Sequence, residues 1–157
     1  MRRKDREVTD FSEIIKILQD CDVCRLGLST DSVPYIVPMN FGIEIKGEHI
    51  TLYFHCAAEG RKLELLKANG GRASFEADTR HALGRADTAC GYTYFYASVM
   101  GEGTVELIEN TDKKIGGLTA ILAHCEPDAA NLPFDESIVK RTTVLKMTVT
   151  SITAKQH

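Results

Sequence analysis

The stretch Ile50-Thr51-Leu52-Tyr53-Phe54-His55-Cys56-Ala57-Ala58-Glu59-Gly60-Arg61-Lys62 changes character twice. Its β-branched and aromatic first half predicts a strand over 50–55. Ala57, Ala58 and Gly60 are small, and the run from Glu59 to Asn69 holds good helix formers, with Leu63, Leu65 and Leu66 as its apolar side and Gly70-Gly71 ending it. A strand that passes through small residues into a helix opening on two adjacent cations is a local anion site. The helix start offers free N–H groups and the positive end of its dipole, and small residues let a ligand approach the backbone. Arg61 would supply a planar fork and Lys62 a mobile point charge, a division of labour that suits one phosphomonoester. Spacing alone serves equally well a solvated face on which Glu59 and Glu64 form surface ion pairs with these cations.

Upstream, Lys46-Gly47 reads as a tight turn that joins 50–55 in a hairpin to an extended segment from Val33 to Ile45. That segment contains Pro34 and Pro38, which donate no ladder hydrogen bond and so imply an edge, a bulge or a backbone face left open, with a ligand as one occupant. Val23 to Ser29 is a further strand, closed by the turn signal Thr30-Asp31-Ser32. Before it, Asp10 and Glu13 form a capping-box-like start to a helix carrying Phe11, Ile14, Ile15 and Leu18 on one stripe. Downstream, Arg72 to Asp78 is strand-like, His81 to Gly91 reads as a polar flexible loop, and Tyr92 to Ile108 is a long strand with a bulge or bend expected at Gly101 and Gly103. Thr111 is the expected N-cap of a helix bearing Ile115, Leu118, Ile121 and Leu122; 126–134 reads as a loop and 142–152 as a closing strand. Six strands, mostly joined by hairpins, with helices inserted at intervals, predict an α+β fold, mainly β: an antiparallel barrel with peripheral helices. The 157 residues, 43% hydrophobic and 26% charged, fit one domain over 1–157.

Nineteen Lys and Arg against 22 Asp and Glu leave a net charge of -3, so no overall basic field exists to hold a nucleic acid or an anionic membrane. Any anion must be caught locally. The charged N-terminus lacks a signal-peptide core, its Arg2-Arg3 pair reads as a solvated tail, and no stretch approaches the roughly 18 apolar residues that span a bilayer. Five unevenly spaced cysteines suit free thiols in a reducing cytoplasm.

Cys21-Asp22-Val23-Cys24 has the spacing of half a zinc site or a redox pair, but it lacks a second such pair and closes a helix instead of opening one. Two small buried hydrophobes are the favoured reading, and no metal site is expected. Gly101-Glu102-Gly103-Thr104-Val105-Glu106 fails the dinucleotide fingerprint because Glu occupies the third glycine position. His55 and Cys56 are neighbours in a strand and point to opposite faces, so they cannot pair as nucleophile and base. Among the five histidines, His55 is the one flanked by strand, small residues and cations.

Taken together, Cys21 to Leu28, Pro34 to Phe41, Leu52-Tyr53-Phe54-His55 with Ala57, Gly60 and Lys62, and Cys90 with Tyr96, Ser98, Val99 and Gly101 resemble the flavin-binding split-barrel superfamily of pyridoxamine 5'-phosphate oxidase, and within it the nitroimidazole-resistance (Nim) type. The resemblance implies a six-stranded antiparallel split β-barrel that forms a homodimer, with one FMN in each of two clefts at the interface. It implies that Val37, Pro38, Met39 and Asn40 line the flavin ring with their backbone, and that His55, Cys56 and Ala57 follow the flavin toward its phosphate. Arg61 and Lys62 would hold that phosphate, and Ser98 would contribute from the other side of the cleft. FAD is the alternative flavin, since adenine contacts have no fingerprint here. The segment Asn69-Gly70-Gly71-Arg72-Ala73 departs from the family's Asn-Pro-x-Val, which predicts a looser turn, and Thr153-Ala154-Lys155 has Ala where relatives often have Gly. The chain has no Trp, so the C-terminal Trp and Arg motif of the vitamin B6 oxidases is missing and their activity is not expected. The implied function is an FMN-dependent oxidoreductase reducing a small planar acceptor such as a nitroaromatic, with His55 as the candidate catalytic residue; the alternative is a flavin- or haem-binding protein without turnover.

Overall fold

The computed structural model describes residues 3–157; the expected tail at Met1-Arg2 lies outside them. The elements in chain order are β1 (Glu7–Val8), α1 (Phe11–Gln19), β2 (Cys24–Leu28), β3 (Tyr35–Met39), β4 (Gly42–Lys46), β5 (His49–Cys56), α2 (Arg61–Ala68), β6 (Arg72–Gly84), β7 (Thr93–Leu107), α3 (Thr111–Cys125), α4 (Glu136–Arg141) and β8 (Thr143–Gln156). The fold is α+β and mainly β. The strands form one antiparallel sheet in the order β3-β2-β6-β7-β8-β5-β4, with β1 added to β8.

The two edges of that sheet, β3 and β4, are consecutive in the chain and separated only by Asn40 and Phe41. The three steps from Met39 to Gly42 span no more than about 11 Å, so the sheet must curl until its edges come together at that end, while no ladder joins them along their length. This is a barrel split along one seam. The expected single segment over 33–45 is therefore two strands, because fully buried Phe41 turns the chain into the core. With the short β1, the count among the described residues is eight strands where six were expected.

Inside the barrel, cross-strand pairs stack in rows, one of them running Val37, Leu26, Phe75, Gly101 and Ile152. Phe41, Phe54, Leu26, Leu28, Leu52, Leu145 and Met147 are all fully buried in this core. At about 1.5–3 kcal/mol for each large apolar side chain withdrawn from water, it needs no covalent staple. The expected bend at Gly101 and Gly103 is present as a register shift between Glu102 and Gly103 against β8.

The helices pack against the strands, α1 on β6, β7 and β8 and α3 on β4, β5 and β8. Asp10 Oδ1 accepts from the Glu13 amide at 2.9 Å and starts α1, which buries Ile14, Ile17 and Leu18. Glu13 does not reach back to complete the box; its carboxylate takes the Arg80 guanidinium at 3.0 Å, which holds its pKa below the ordinary carboxylate value. Arg80 also donates to Asp20 at 2.8 Å and to Gln156 at 3.0 Å. These bonds keep Arg80 in the left-handed region, at φ 58, inside a β6 bulge between Thr79 and Ala82. A non-glycine residue there costs on the order of 1–2 kcal/mol.

Other boundaries moved for local reasons. The region 81–91 is not all loop: Ala82, Leu83 and Gly84 pair with Phe95, Tyr94 and Thr93, extending a hairpin arm beyond the core, where polar composition concealed the strand. Asn110, not Thr111, caps α3, accepting from the Lys113 amide at 3.0 Å. The helix α4, unanticipated, starts at Asp135, whose carboxylate accepts from the Ser137 amide at 2.7 Å. The Gly70-Gly71 turn is pinned and not loose: Gly71 donates to the Leu66 carbonyl at 2.7 Å and accepts from the Val105 amide at 2.8 Å. Among the described residues no helix is long and apolar enough to cross a membrane.

Gly42 lets α3 lie directly on the barrel, because a Cβ at this position would clash with the backbone of Ala120 and Ile121. Gly42→Ala is expected to lower stability by about 3 kcal/mol or more, while Gly116→Ala, in open space on α3, should raise it by about 1 kcal/mol. Thermal or urea unfolding of the two variants checks the pair, and equal effects would contradict this packing.

Candidate anion and cofactor site

The first turn of α2 sits against β3. Gly60 occupies the N-cap with φ 133, a backbone geometry that an L side chain rarely adopts, and has no side chain to cap the helix. Its carbonyl accepts from Leu63 at 2.9 Å and Glu64 at 3.3 Å. The amides of Arg61 and Lys62 find no protein acceptor among the described residues, as expected of a first helical turn without a cap.

The side chains of both cations are held by β3. The Arg61 guanidinium lies 5.0 Å from the centroid of the Tyr35 ring, a cation–π contact. Lys62 Nζ approaches Met39 Sδ at 3.6 Å. Neither forms an ion pair with Glu59, Glu64 or any other carboxylate among the described residues, so the surface-pair alternative is not realised. Lys62 also acts on Cys56 at the end of β5: burial pushes this thiol's pKa up, and the Lys62 charge opposes the rise.

Of the residues singled out in the sequence, the structure thus gathers Met39, Cys56, Arg61 and Lys62, with Val37 on the same inward face of β3 as Met39. Pro38 points to the outer face, opposite Arg25 of β2. Because β3 is paired only to β2, its other edge carries backbone groups that the sheet does not use, which explains why a proline is tolerated here. Asn40 Nδ2 donates to the Asp22 carbonyl at 3.3 Å and fixes the end of that edge. Ala57 is exposed in the loop before Gly60.

Two residues stand apart from this group. His55 is exposed and, by strand alternation, on the face of β5 opposite Cys56. Ser98 is buried on β7, three strands along from β3, about 14 Å as followed along the sheet. Sequence reading missed Tyr35, the ring under Arg61; its only signal was an aromatic residue between the two prolines.

The profile described as pyridoxamine 5'-phosphate oxidase matches residues 10–156. The chain belongs to the pyridoxamine 5'-phosphate oxidase family. Within the same fold, it is similar to a candidate 5-nitroimidazole antibiotic resistance protein from Bacteroides thetaiotaomicron. The two are 31% identical, over 96% of this chain and 86% of that one, with a TM-score of 0.82. An FAD- and haem-binding protein from Mycobacterium smegmatis shares the fold at 20% identity, over 96% of this chain and 73% of that one, with a TM-score of 0.78. A flavocytochrome from Azotobacter vinelandii does so at 19%, over 100% and 72%, with a TM-score of 0.79. No curated protein matches the sequence.

The five thiols of this family member form a graded series. Cys21 and Cys24 are buried, and burial pushes both to about 12; Cys56 is half-buried beside Lys62; Cys90 and Cys125 are exposed. Labelling with a thiol-reactive disulfide near neutral pH should modify Cys90 and Cys125 first, Cys56 more slowly, and Cys21 and Cys24 only on unfolding. Rapid modification of Cys21 in folded protein would contradict this order.

Proposed function

We propose that this protein is an FMN-dependent oxidoreductase of the nitroimidazole-resistance type, a homodimer that reduces a small planar acceptor such as a nitroaromatic. The observation that carries the reading is the pair Arg61 and Lys62: two cations without carboxylate partners, steered by β3 to a helix start whose amides lack acceptors. That donor set fits a phosphomonoester dianion. Arg61 would clamp two phosphate oxygens, Lys62 would neutralise charge, and Gly60 and Ala57 would let the phosphate reach the backbone. Val37 and Met39 would present the unpaired backbone edge of β3 to the flavin ring, with Asn40 fixing the end of that edge. Bound FMN supplies the electron-transfer chemistry, and the protein supplies position, charge and exclusion of water. The acceptor class is supported by the 31% identity to the candidate nitroimidazole-resistance protein.

The homodimer is supported by what one chain leaves open. Arg61 and His55 are exposed, and Ser98 is too distant to touch a ligand held on the same chain's β3. Ile36, 64% exposed, and Met100, 54% exposed, lie with Ser98 on the outer face of the sheet, flanking the charged side chains of Arg25 and Glu76, a mixed surface on which a second copy would bring its own Ser98 to the cleft. His55, beside the loop to α2, is the residue we assign to orient the acceptor. Five free thiols favour work in a reducing cytoplasm.

Protein purified without added cofactor is expected to be yellow and to release FMN on denaturation. The double variant Arg61→Ala/Lys62→Ala should bind FMN about a hundredfold more weakly or worse, since two charge-assisted contacts are lost. Colourless protein that takes up no added FMN, or protein carrying haem alone, would overturn the proposal.

A further inference from the structure

A second cluster of ionisable side chains lies on the outer face of the sheet. Asp78 on β6 stands directly across from Ser98 on β7, which stands across from Lys155 on β8. Arg25, from β2, donates to Asp78 and, at 3.1 Å, to Glu76. The other oxygen of Asp78 lies 2.6 Å from His81 Nε2. Residues three apart in a regular strand point to opposite faces, so this contact exists only because of the β6 bulge: Arg80, left-handed at φ 58, turns His81 back over Asp78. Arg80 is held in that conformation by Glu13, Asp20 and Gln156. A residue held in a rarely populated conformation beside a carboxylate–imidazole pair is the kind of feature that accompanies sites.

The pair borders a pocket of about 510 Å³ with an aromatic wall. The Tyr94 ring stands 6.0 Å from His81 at 31°, and Tyr94 is 55% exposed. The Lys155 ammonium lies 5.6 Å from the centroid of Tyr96. The hollow is shallow and open to solvent, so it offers a ring system one face to lie on instead of an enclosed cavity.

We infer that this pocket binds a planar aromatic molecule bearing a weakly acidic O–H or N–H group, with His81 as its proton partner. The Asp78 carboxylate only accepts, so Nε2 of the neutral ring carries the hydrogen and Nδ1 is left as an acceptor. Arg25 holds the Asp78 carboxylate in place. When the ligand's O–H bond breaks, the proton forms the N–H bond at Nδ1, the imidazolium is stabilised by Asp78, and the ligand's negative charge is met by Lys155. The O–H electron pair stays on the ligand oxygen and the Nδ1 lone pair forms the new N–H bond, so nothing is oxidised or reduced in this step. Tyr94 and Tyr96 supply the aromatic surface. The inference deepens the function proposed above, since it assigns the acceptor a place beside Ser98; it rests on that reading for the molecule's role as electron acceptor, and not for its binding.

The probe is 4-nitrophenol, whose phenol and phenolate forms absorb at different wavelengths, titrated into the full-length protein with flavin content measured on the same samples. Saturable binding with a shift toward the phenolate spectrum is expected. His81→Gln should abolish the shift and weaken binding about tenfold, and Tyr94→Leu should weaken it roughly threefold to tenfold, both with the flavin content of the parent. Binding and shift unchanged in both variants would overturn the inference, as would a yellow parent protein that gives no shift. Colourless parent protein that gives a His81-dependent shift would defeat the flavin reading and support the pocket.

Discussion

Everything in this molecule depends on a two-residue connection. Asn40 and Phe41 join the two edges of one sheet, so the sheet has to close on itself at that point. Three contacts lock the junction. Phe41 is fully buried with its ring 4.6 Å from His124 of α3, His124 Nε2–H donates to the Cys21 carbonyl at 2.8 Å, and Asn40 donates to the Asp22 carbonyl next to it. The end of α1, the start of β2, the junction and α3 are thus tied together, and Gly42 brings α3 onto the barrel immediately afterwards.

The split in the barrel follows from that closure, and the candidate site follows from the split. A sheet closed at one end and unpaired along its seam leaves β3 with a free edge. The chain leaves β5 at Cys56 and returns as α2 with its first turn on β3, so Arg61 meets Tyr35 and Lys62 meets Met39. Backbone amides, two cations and an unused strand edge converge without any single element having a binding motif. The charge balance of the whole chain, -3, is irrelevant to this arrangement, because the anion field is generated by one helix turn.

Sequence patterning was informative where a residue's role is local. The β-branched and aromatic composition of 50–55, the helix formers of 61–68 and the cap at Asp10 each act within a few residues, whereas the spacing of Arg61 and Lys62 alone served a solvated ion-paired face as well as an anion site. Tertiary consequences were hidden. Nothing local distinguishes one extended segment over 33–45 from two strands on opposite edges of a sheet; burial of Phe41 decides it. The β6 half of the β6–β7 arm, Ala82 to Gly84, looked like loop because neither of its faces meets the core, whereas its β7 half was legible as strand. Glu13 found a better partner in Arg80, 67 residues away, than in its own helix terminus. Ser98 and Arg61 were both candidates on opposite sides of a cleft, and the fold places Ser98 three strands along the sheet from β3, the strand that holds Arg61.

The account's central claim is that the helix start at Arg61-Lys62, held against β3, is a phosphate site. A crystal structure of the protein with FMN tests it most directly. The account predicts phosphate oxygens within hydrogen-bond distance of the backbone amides of Arg61 and Lys62 and of both side chains, with the flavin ring along the free edge of β3. A phosphate bound elsewhere, with Arg61 still stacked on Tyr35 and the α2 amides facing only solvent, would contradict it.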